Sequence, residues 1–251
     1  MRKIIPVVFI LTLLLCAVFN SPAQANTISR EKLADRLDSN YQAISSYLLV
    51  LTFDKGDLSL RIWQQSELWR QEWVKVSGSR EDVVAAAVGQ GRFPVVSVGI
   101  DVPGPPIAMV LFEGLSWWED AGLDFDSWSY HFFHGRPALA LGMDARQNSG
   151  PYLWMDNEDM VPLRMVFPEN DTGLELGWIE HGNVGNHKLP RKLIISGNDF
   201  EMVCNLEWRG INSVYEDKLF SPEDFEKSFS RGALNPPELV GDYYRALSGI
   251  Y

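Results

Sequence analysis

Cysteine is scarce in this chain, which has two among its 251 residues, Cys16 and Cys204. Cys16 lies in an N-terminal apolar segment typical of a cleaved signal, so one cysteine remains. A lone cysteine cannot form an internal disulfide, and burial of apolar surface must therefore hold the fold. Phe200, Met202 and Leu206 alternate around Cys204 as in a strand, which indicates a small buried side chain rather than a nucleophile.

Positive charge is also scarce, because 22 Lys and Arg stand against 33 Asp and Glu, a formal net charge of −11. Removal of Arg2 and Lys3 with the signal makes this charge −13. No basic run could follow a phosphate backbone, so we expect no nucleic-acid partner. The same charge disfavours docking on anionic lipid headgroups.

Sequence signatures of catalysis are missing. There is no Gly-x-Ser-x-Gly and no reactive-cysteine context, and no carboxylate pair stands out in so acidic a chain. Gly89-Gln-Gly91 is too short for a phosphate-binding loop and indicates a turn. We expect no enzyme and no cofactor; an enzyme whose catalytic residues lie far apart in sequence is the alternative.

Metal-ligand spacing is equally weak. His131 and His134 form H-F-F-H without a third ligand in sequence reach, and two surface or capping histidines are the expected interpretation. Asp156-Asn-Glu-Asp159 lacks the glycine and alternating ligands of an EF-hand loop, which favours a solvated hairpin turn. We therefore expect no metal.

The one long apolar run is N-terminal. After Met-Arg-Lys, Ile4 to Phe19 is almost unbroken, and residues 20–25 end in Ala-Gln-Ala. This pattern predicts a secretory signal peptide, residues 1–25, cleaved after Ala25, and a mature single domain, residues 26–251. A retained transmembrane anchor is the alternative, and Leu15 before Cys16 argues against a lipoprotein site.

Apolar spacing predicts one helix followed by many strands. Leu33, Leu37, Tyr41 and Ile44 share one face of a helix over residues 29–46. DSWSYHFF, residues 126–133, is interpreted as a helix crossing a sheet, and further helices are predicted from residues 221 and 236. The predicted strands are Tyr47–Phe53, Asp57–Trp63, Glu67–Val76, Val95–Ile100, Ile107–Phe112, Leu115–Trp118, Ala138–Leu141, Tyr152–Met155, Leu163–Phe167, Leu174–Glu180, Lys192–Ser196, Phe200–Trp208 and Ile211–Tyr215.

So many strands with few helices predict an α+β fold built on a large antiparallel sheet. An apolar sheet face must be buried, because each Å² left in water costs about 25 cal/mol. We therefore expect a strongly curved, incomplete antiparallel β-barrel with helices covering its mouth and an apolar cavity inside.

The segment PYLWMDNEDMVPLRMVF, residues 151–167, resembles the hairpin of the LolA/LolB-like superfamily of periplasmic lipoprotein carrier proteins. In that hairpin a strand ending in Leu-Trp-x-Asp turns and returns as Pro-x-Arg. YLLVLTF, GDLSLRIW, VLFEGLSWWED and the closing LPRKLIISGNDFEMVCNLEWRGINSVYEDKLFSP are similar to other parts of the family, in the same order. Residues 80–106 match no part of it.

The resemblance implies a periplasmic, monomeric carrier that holds a lipoprotein acyl chain or another lipid non-covalently under a helical lid. An inner- or outer-membrane protein is a further implied partner. The alternative is a regulatory or protein-interaction module on the same fold without lipid transport. Carriers of this type hold the lid with an arginine in an Arg-Pro context; the candidates here are Arg61 and Arg70, and neither precedes proline.

We expect the cavity to be lined by aromatic and apolar strand residues, for which simple core filling is the competing interpretation. Trp69 and Trp73 should share a strand face, and Trp117 and Trp118 should point to opposite faces. Arg164 should point outward and pair with an acid across the hairpin, such as Asp156. The candidate lining residues are Trp63, Trp69, Trp73, Phe112, Trp117, Trp154, Leu163 and Met165.

Overall fold

The structure is a computed structural model that describes residues 29–41, 43–112, 114–142, 151–167, 173–229, 234–248 and 250. The predicted signal peptide and its cleavage site lie outside the described residues. The chain divides into two compact units, Met1–Leu33 and Ala34–Tyr251, and everything below concerns the second. In the described part of the chain, no helix combines the length and the apolar character needed to cross a membrane.

The described helices are α1 (Arg30–Tyr41), a 3₁₀ helix (Ile107–Leu111), α2 (Gly114–Asp120), a second 3₁₀ helix (Asp217–Leu219), α3 (Pro222–Phe229) and α4 (Glu238–Leu247). The strands are β1 (Ser46–Phe53), β2 (Leu58–Gln65), β3 (Leu68–Ser77), β4 (Arg80–Gln90), β5 (Phe93–Val98), β6 (Trp128–Phe133), β7 (Arg136–Leu141), β8 (Tyr152–Asp156), β9 (Pro162–Phe167), β10 (Leu174–Ile179), β11 (Gly182–Val184), β12 (His187–Leu189), β13 (Lys192–Ser196) and β14 (Glu201–Arg209).

Twelve of these strands form one antiparallel sheet in the order β5-β4-β3-β2-β1-β14-β13-β10-β9-β8-β7-β6, and β11 and β12 pair separately. The last long strand, β14, pairs with β1 and so joins the two halves of the chain at the centre of the sheet. The sheet is not closed, since β5 and β6 are its two edges. This confirms the predicted α+β class and the large open antiparallel sheet; the helical cover over a mouth stays a prediction.

The core lies on one face of this sheet, called the inner face here and defined by Tyr47, Leu49, Leu51 and Phe53 of β1. Side chains alternate across a strand, so the pairing register carries this face from strand to strand. Leu51 opposes Leu60 of β2 on one side and Leu206 of β14 on the other. The other side of the sheet is called the outer face.

Helix α3 packs on the outer face at the β5 end of the sheet. Phe225 of α3 is fully buried in a cluster with Phe220 and with Ala86 and Val88 of β4. The helix begins as predicted, because the Ser221 hydroxyl accepts a hydrogen bond from the Asp224 amide at 3.3 Å. Helix α3 therefore covers the outer face of β4.

Three predicted elements form another type of regular structure. Ile107–Leu111 is a 3₁₀ helix and residues 115–118 lie in helix α2, whereas DSWSYHFF contains strand β6. All five residues of the 3₁₀ helix are buried, so the run shows no alternation, and short apolar runs do not distinguish a strand from a buried helix. The aromatic residues of β6 have a high β-propensity, and the strand is completed by pairing with β7.

Other boundaries also differ from the predictions. Helix α1 ends at Tyr41 rather than near residue 46, since Ser46 already belongs to β1. The segment from Arg80, which has no counterpart in the family resemblance, forms β4 and β5, with Gly89 inside β4 and Gly91 in the turn after it. Residues 211–215, predicted as a strand, are irregular.

Candidate functional site

From β6 to β10 the inner face is apolar at every described position. Tyr130 of β6 stands opposite Leu139 of β7, which stands opposite Met155 of β8. In the same way, Leu153 of β8 stands opposite Met165 of β9, which stands opposite Leu176 of β10. None of these side chains carries a charge, and apart from the Tyr130 hydroxyl and the indole N–H groups of Trp128 and Trp178 they offer only dispersion and hydrophobic contacts. Its members are Trp128, Tyr130, Phe132, Pro137, Leu139, Leu141, Leu153, Met155, Leu163, Met165, Phe167, Leu174, Leu176 and Trp178.

The β1–β3 part of the inner face differs because it carries two buried glutamines. The Trp73 indole N–H donates to the Tyr244 hydroxyl at 3.1 Å, and that hydroxyl donates to Gln71 Oε1, also at 3.1 Å. Gln71 Nε2 is buried and has no partner among the described residues. The Gln64 side-chain oxygen accepts a hydrogen bond from the Tyr47 hydroxyl. Burial raises the pKa of Tyr244, which therefore stays protonated as a donor.

Helix α4 lies against the β1–β3 part of the inner face. Val240, Tyr243, Tyr244 and Leu247 are buried, and their 3, 1 and 3 spacing gives the helix one apolar stripe. The Tyr243 ring centroid is 5.1 Å from that of Trp73, in an edge-to-face arrangement. A set of aromatic rings together with a short hydrogen-bond chain thus holds α4 on the sheet.

A groove of about 600 Å³ runs between α4 and the ends of β10 and β14. It mixes apolar and charged side chains: Leu174, Phe200, Met202, Leu239 and Ala246 with Lys55, Asp199, Glu201, Asp242 and Arg245. A smaller pocket of about 120 Å³ shares Lys55, Glu201, Met202 and Leu239 with the groove and extends to Phe53. Because Phe53 belongs to the inner face, the smaller pocket borders that face.

Six of the eight predicted lining residues lie on the inner face or against it. Trp69 and Trp73 share that face and are fully buried, as predicted, and Leu163 and Met165 lie on it in β9. Phe112 is half-buried and stacks on Tyr47 with 5.1 Å between ring centroids.

Trp117 comes from helix α2 and approaches Phe167 of the inner face, with 6.3 Å between ring centroids. Trp117 and Trp118 are both 5% exposed and touch edge to face at 4.6 Å. The expectation that they point to opposite faces is wrong, because neighbouring residues of a helix are separated by only about 100°.

Two of the eight predicted lining residues, Trp63 and Trp154, lie on the outer face. Trp63 opposes Arg70 and packs against the cluster under helix α3. Trp154 opposes Arg164, and its ring stacks on His131 with 5.0 Å between centroids. Each is one residue away from an inner-face neighbour, and the period of two in a strand places it on the opposite side.

The two arginines considered for holding a lid also lie on the outer face. Arg61 pairs with Glu81 at 2.6 Å. The Arg70 guanidinium pairs with Glu72, donates to the Leu219 carbonyl at 3.0 Å, and lies 5.3 Å from the ring centroid of Phe225 in α3. Among the described contacts of Arg61 and Arg70, none reaches α4.

Arg164 is half-buried on the outer face and forms a two-pronged pair with Glu175, at 2.7 and 2.5 Å. The outward direction is confirmed, but the partner is not Asp156. Gly177 stands directly opposite Arg164 and leaves room for the guanidinium to reach Glu175 two residues earlier in β10. The Asp156 carboxylate instead accepts hydrogen bonds from the backbone N–H groups of Glu158 and Asp159 in the hairpin turn.

A charged cluster lies at that turn. Asp156 pairs with Arg136 at 2.7 Å, and Asp159 pairs with Arg136 and Lys188. The charges of this cluster act on His181. Its pKa is lowered to about 4, chiefly by burial and further by the positive charges of Arg136 and Lys188. Within the described residues, no group of three or more His, Cys, Asp or Glu side chains is arranged to hold a metal ion.

Helix α4 was predicted from residue 236, whereas the groove beside it is a feature that the sequence analysis missed. The side of α4 that packs on the sheet can be recognised in the sequence, because Val240, Tyr243, Tyr244 and Leu247 have helical spacing. The strand residues Met202 and Leu174 carry no such signal, since nothing in the sequence shows that the ends of β14 and β10 meet α4.

Comparison with solved structures identifies the fold. A LolA superfamily protein from Nitrosomonas europaea superimposes with a TM-score of 0.50 over 78% of this chain and 99% of that protein, at 12% identity. This chain has a LolA-like fold. A DUF1329 family protein from Desulfovibrio piger gives a TM-score of 0.42 over 76% of this chain and 95% of its own, at 10% identity. No protein-family model and no curated protein matches the sequence.

Proposed function

We propose that this LolA-like protein is a periplasmic carrier that binds the acyl chain of a lipoprotein, or another lipid, between helix α4 and the inner face of its sheet. The observation that carries the proposal is the groove of about 600 Å³ beside α4, which borders the apolar inner face at Leu174 and, through the smaller pocket, at Phe53. Small-molecule sites typically enclose about 300–1,000 Å³. Each buried CH₂ contributes about 0.8 kcal/mol, so a long acyl chain needs an apolar surface rather than a reactive group.

Helix α4 is the lid in this proposal. Its inward side chains, Tyr243 and Tyr244, rest on Trp73 through ring contacts and one hydrogen bond, which can separate without breaking a covalent bond. Movement of α4 would widen the groove toward Phe53 and admit an aliphatic chain. The charged residues Lys55 and Arg245 at the groove are placed to contact the polar end of such a ligand.

The lid-holding role of Arg61 and Arg70 stays a prediction. On the outer face, Arg70 of strand β3 contacts Leu219 of the second 3₁₀ helix and Phe225 of helix α3. It can therefore influence α4 only through strand β3, which carries Trp73 on the inner face.

The cellular setting follows from the predicted signal peptide. Cleavage after Ala25 would release a mature, monomeric protein into the periplasm, an aqueous compartment in which an acyl chain needs cover. Such a carrier takes its cargo from one membrane protein and delivers it to another. We infer an inner- or outer-membrane partner on this basis.

The direct test is to purify the mature protein from its natural periplasm and identify bound lipid by native mass spectrometry. Affinity for a fluorescent fatty-acid probe is then compared between the unaltered protein and Leu239→Glu, which places a charge in the groove. We expect about tenfold weaker binding or more, because a charge is costly on an apolar contact surface. Val214→Glu is the matched control, since Val214 is 92% exposed. Protein that is recovered empty and binds no acyl probe would refute the proposal.

A second candidate is a periplasmic regulatory or interaction module that uses the fold without cargo. It is favoured by one observation: Phe53, Trp73, Tyr243 and Tyr244 fill part of the inner face with the protein's own rings. In that case the protein should co-purify with a periplasmic protein instead of a lipid. That complex should be insensitive to Leu239→Glu.

A further inference from the structure

Strand β6 is an edge of the sheet, yet its inner-face side chains are aromatic. Tyr130 is 49% exposed and Phe132 is 75% exposed, while Trp128 is half-buried and touches Tyr130 edge to face at 5.4 Å. Soluble proteins usually protect an edge strand with charged residues or proline. The three aromatic residues of β6, Trp128, Tyr130 and Phe132, are called the aromatic lip.

The aromatic lip continues the apolar inner face without a break. Tyr130 opposes Leu139 of β7, which opposes Met155 of β8, and both of these are buried. The inner face therefore passes from full burial to solvent within one strand, and no charged side chain marks the transition.

The outer side of β6 holds the lip in place. His131 stacks on Trp154, and the Phe133 ring contacts the same indole edge to face with 5.8 Å between centroids. The Arg164 guanidinium lies 5.7 Å from the centroid of the same ring. Because β6 is packed on this side, its exposed rings on the other side are presented on a fixed strand rather than on a loose loop.

Phe132 of the lip and the groove beside α4 lie at opposite strand ends, whereas Trp128 lies at the same strand end as Leu174 of the groove. Phe132 is next to the β6–β7 turn, whereas the groove is built around Phe53 at the end of β1 and Met202 at the start of β14. In the antiparallel order these two positions are at opposite strand ends. From β10 to β6 the sheet spans four strand spacings, about 19 Å, which is comparable with an extended long acyl chain.

We propose that the aromatic lip is a second contact surface for the aliphatic chain of the ligand, through which a long acyl chain passes between solvent and the inner face at the β6 edge. This inference rests on the proposed carrier function. It assigns the occupant as an unbranched long-chain acyl group, because the inner-face side chains from β10 to β6 carry no charge and span the length of one extended chain. Those of β8–β10 are buried, so entry of the chain requires that they become uncovered.

The test uses the full mature protein and a long-chain fatty acid with a photoreactive diazirine at its methyl end. After irradiation, the attachment sites are mapped by mass spectrometry, and association rates are measured for Tyr130→Ser combined with Phe132→Ser. Phe93→Ser is the matched control, since Phe93 is also 75% exposed but lies on the other edge strand, β5. All three changes are at exposed positions, and unchanged Tm values verify folding.

We expect attachment to residues of β6 or β7, about tenfold slower association in the double variant, and no effect of Phe93→Ser. Attachment confined to the groove, with unchanged association in the double variant, would overturn the lip while the carrier function stands. Absence of probe binding to the unaltered protein would overturn both. The double variant could instead lose a dimer or lose binding to liposomes while it still binds acyl chains at the normal rate. The lip would then contact a second protein copy or a membrane, and this inference would be refuted.

Discussion

Trp73 of strand β3 and Tyr244 of helix α4 are joined by a hydrogen bond from the indole N–H to the hydroxyl at 3.1 Å, in a region closed to solvent. The same hydroxyl donates to Gln71, so one tyrosine satisfies two buried polar groups of the sheet. Burial of polar groups is costly unless they are hydrogen-bonded. These two hydrogen bonds therefore position α4 on the inner face, and both must break when the helix moves away.

Tyr244→Phe should destabilise the protein by about 1–3 kcal/mol, because the indole N–H and the Gln71 amide lose a buried partner. Chemical denaturation monitored by tryptophan fluorescence measures this change. Hydrogen exchange of the α4 amides should also become faster, since the helix is held less tightly. Tyr130→Phe is the control, because Tyr130 is half-exposed, and its effect should be within about 0.5 kcal/mol. Equal stability of the two variants would show that the hydrogen bond does not hold α4.

Cys204 should be unreactive in the folded mature protein. It is fully buried in β14, and burial, reinforced by the charge of Asp54, raises the pKa of its thiol to about 12. Since the thiolate is the reactive form, a disulfide reagent at pH 8 should react only as fast as the protein opens. One thiol per chain should react at once in denaturant. Rapid labelling under native conditions would mean that β14 is not part of a stable core.

His181 should make the protein less stable as the pH falls from about 6.5 to about 4. Its folded pKa is lowered to about 4 by burial and by Arg136 and Lys188, whereas the unfolded histidine has a pKa of 6.5. The unfolded state thus takes up the proton first, and stability decreases on acidification. At about 1.4 kcal/mol for each pKa unit, the loss is on the order of 3 kcal/mol.

His181→Asn should remove this pH dependence, as measured by denaturation at pH 7, 5.5 and 4.5. His134→Asn is the matched control, because His134 is exposed in a turn with a φ of 49° that asparagine tolerates. The pKa of Asp159 is lowered, chiefly by the Lys188 hydrogen bond, so its own contribution is lost only below about pH 4. The same pH profile in the unaltered protein and His181→Asn would contradict the assignment.

The sequence predicted the long strands and the C-terminal helices better than it predicted the short helical segments in the middle of the chain. Alternation in PLRMVF indicated which residues of β9 are buried, because a half-buried strand leaves a period of two. YLLVLTF is apolar at nearly every position, so it predicted a strand but not its buried face. The apolar run Ile107–Leu111 has no period, since it is buried on all sides, and it was therefore assigned the wrong element.

The site was less accessible to sequence reasoning than the fold. Membership of the inner face follows from the pairing register, which the sequence of a single strand does not contain. Trp63 and Trp154 illustrate this, because each is one residue away from the inner face. The groove depends on a meeting of β10, β14 and α4 that are far apart in sequence. Recognition of the LolA-like hairpin gave the architecture but not the residues that face the ligand.

Arg164 and Glu175 should stabilise the pairing of β9 with β10. A double-mutant cycle with Arg164→Ala and Glu175→Ala should give a coupling energy of about 1 kcal/mol, at the upper end for partly exposed pairs, because the contact is two-pronged. The coupling should shrink at high salt, since both side chains reach solvent. Arg209 and Glu207 form an exposed pair within β14 and serve as the control cycle, for which little coupling is expected. Equal coupling in the two cycles would rule out a special role for Arg164.

Gly89 and Gly241 provide a matched pair of glycine substitutions that test the packing under Trp69 and the stability of the lid. A Cβ on Gly89 would overlap the Trp69 ring and lie 2.5 Å from the Phe93 carbonyl oxygen, so Gly89→Ala should destabilise the protein by about 1–3 kcal/mol or more. A Cβ on Gly241 meets no described atom within 4 Å, and alanine favours the α4 helix by about 0.5–1 kcal/mol. Gly241→Ala should therefore raise the free energy of unfolding and slow hydrogen exchange in α4. If α4 is the lid, the same variant should slow both uptake and release of an acyl probe, whereas unchanged exchange rates together with faster release would show that α4 does not control access.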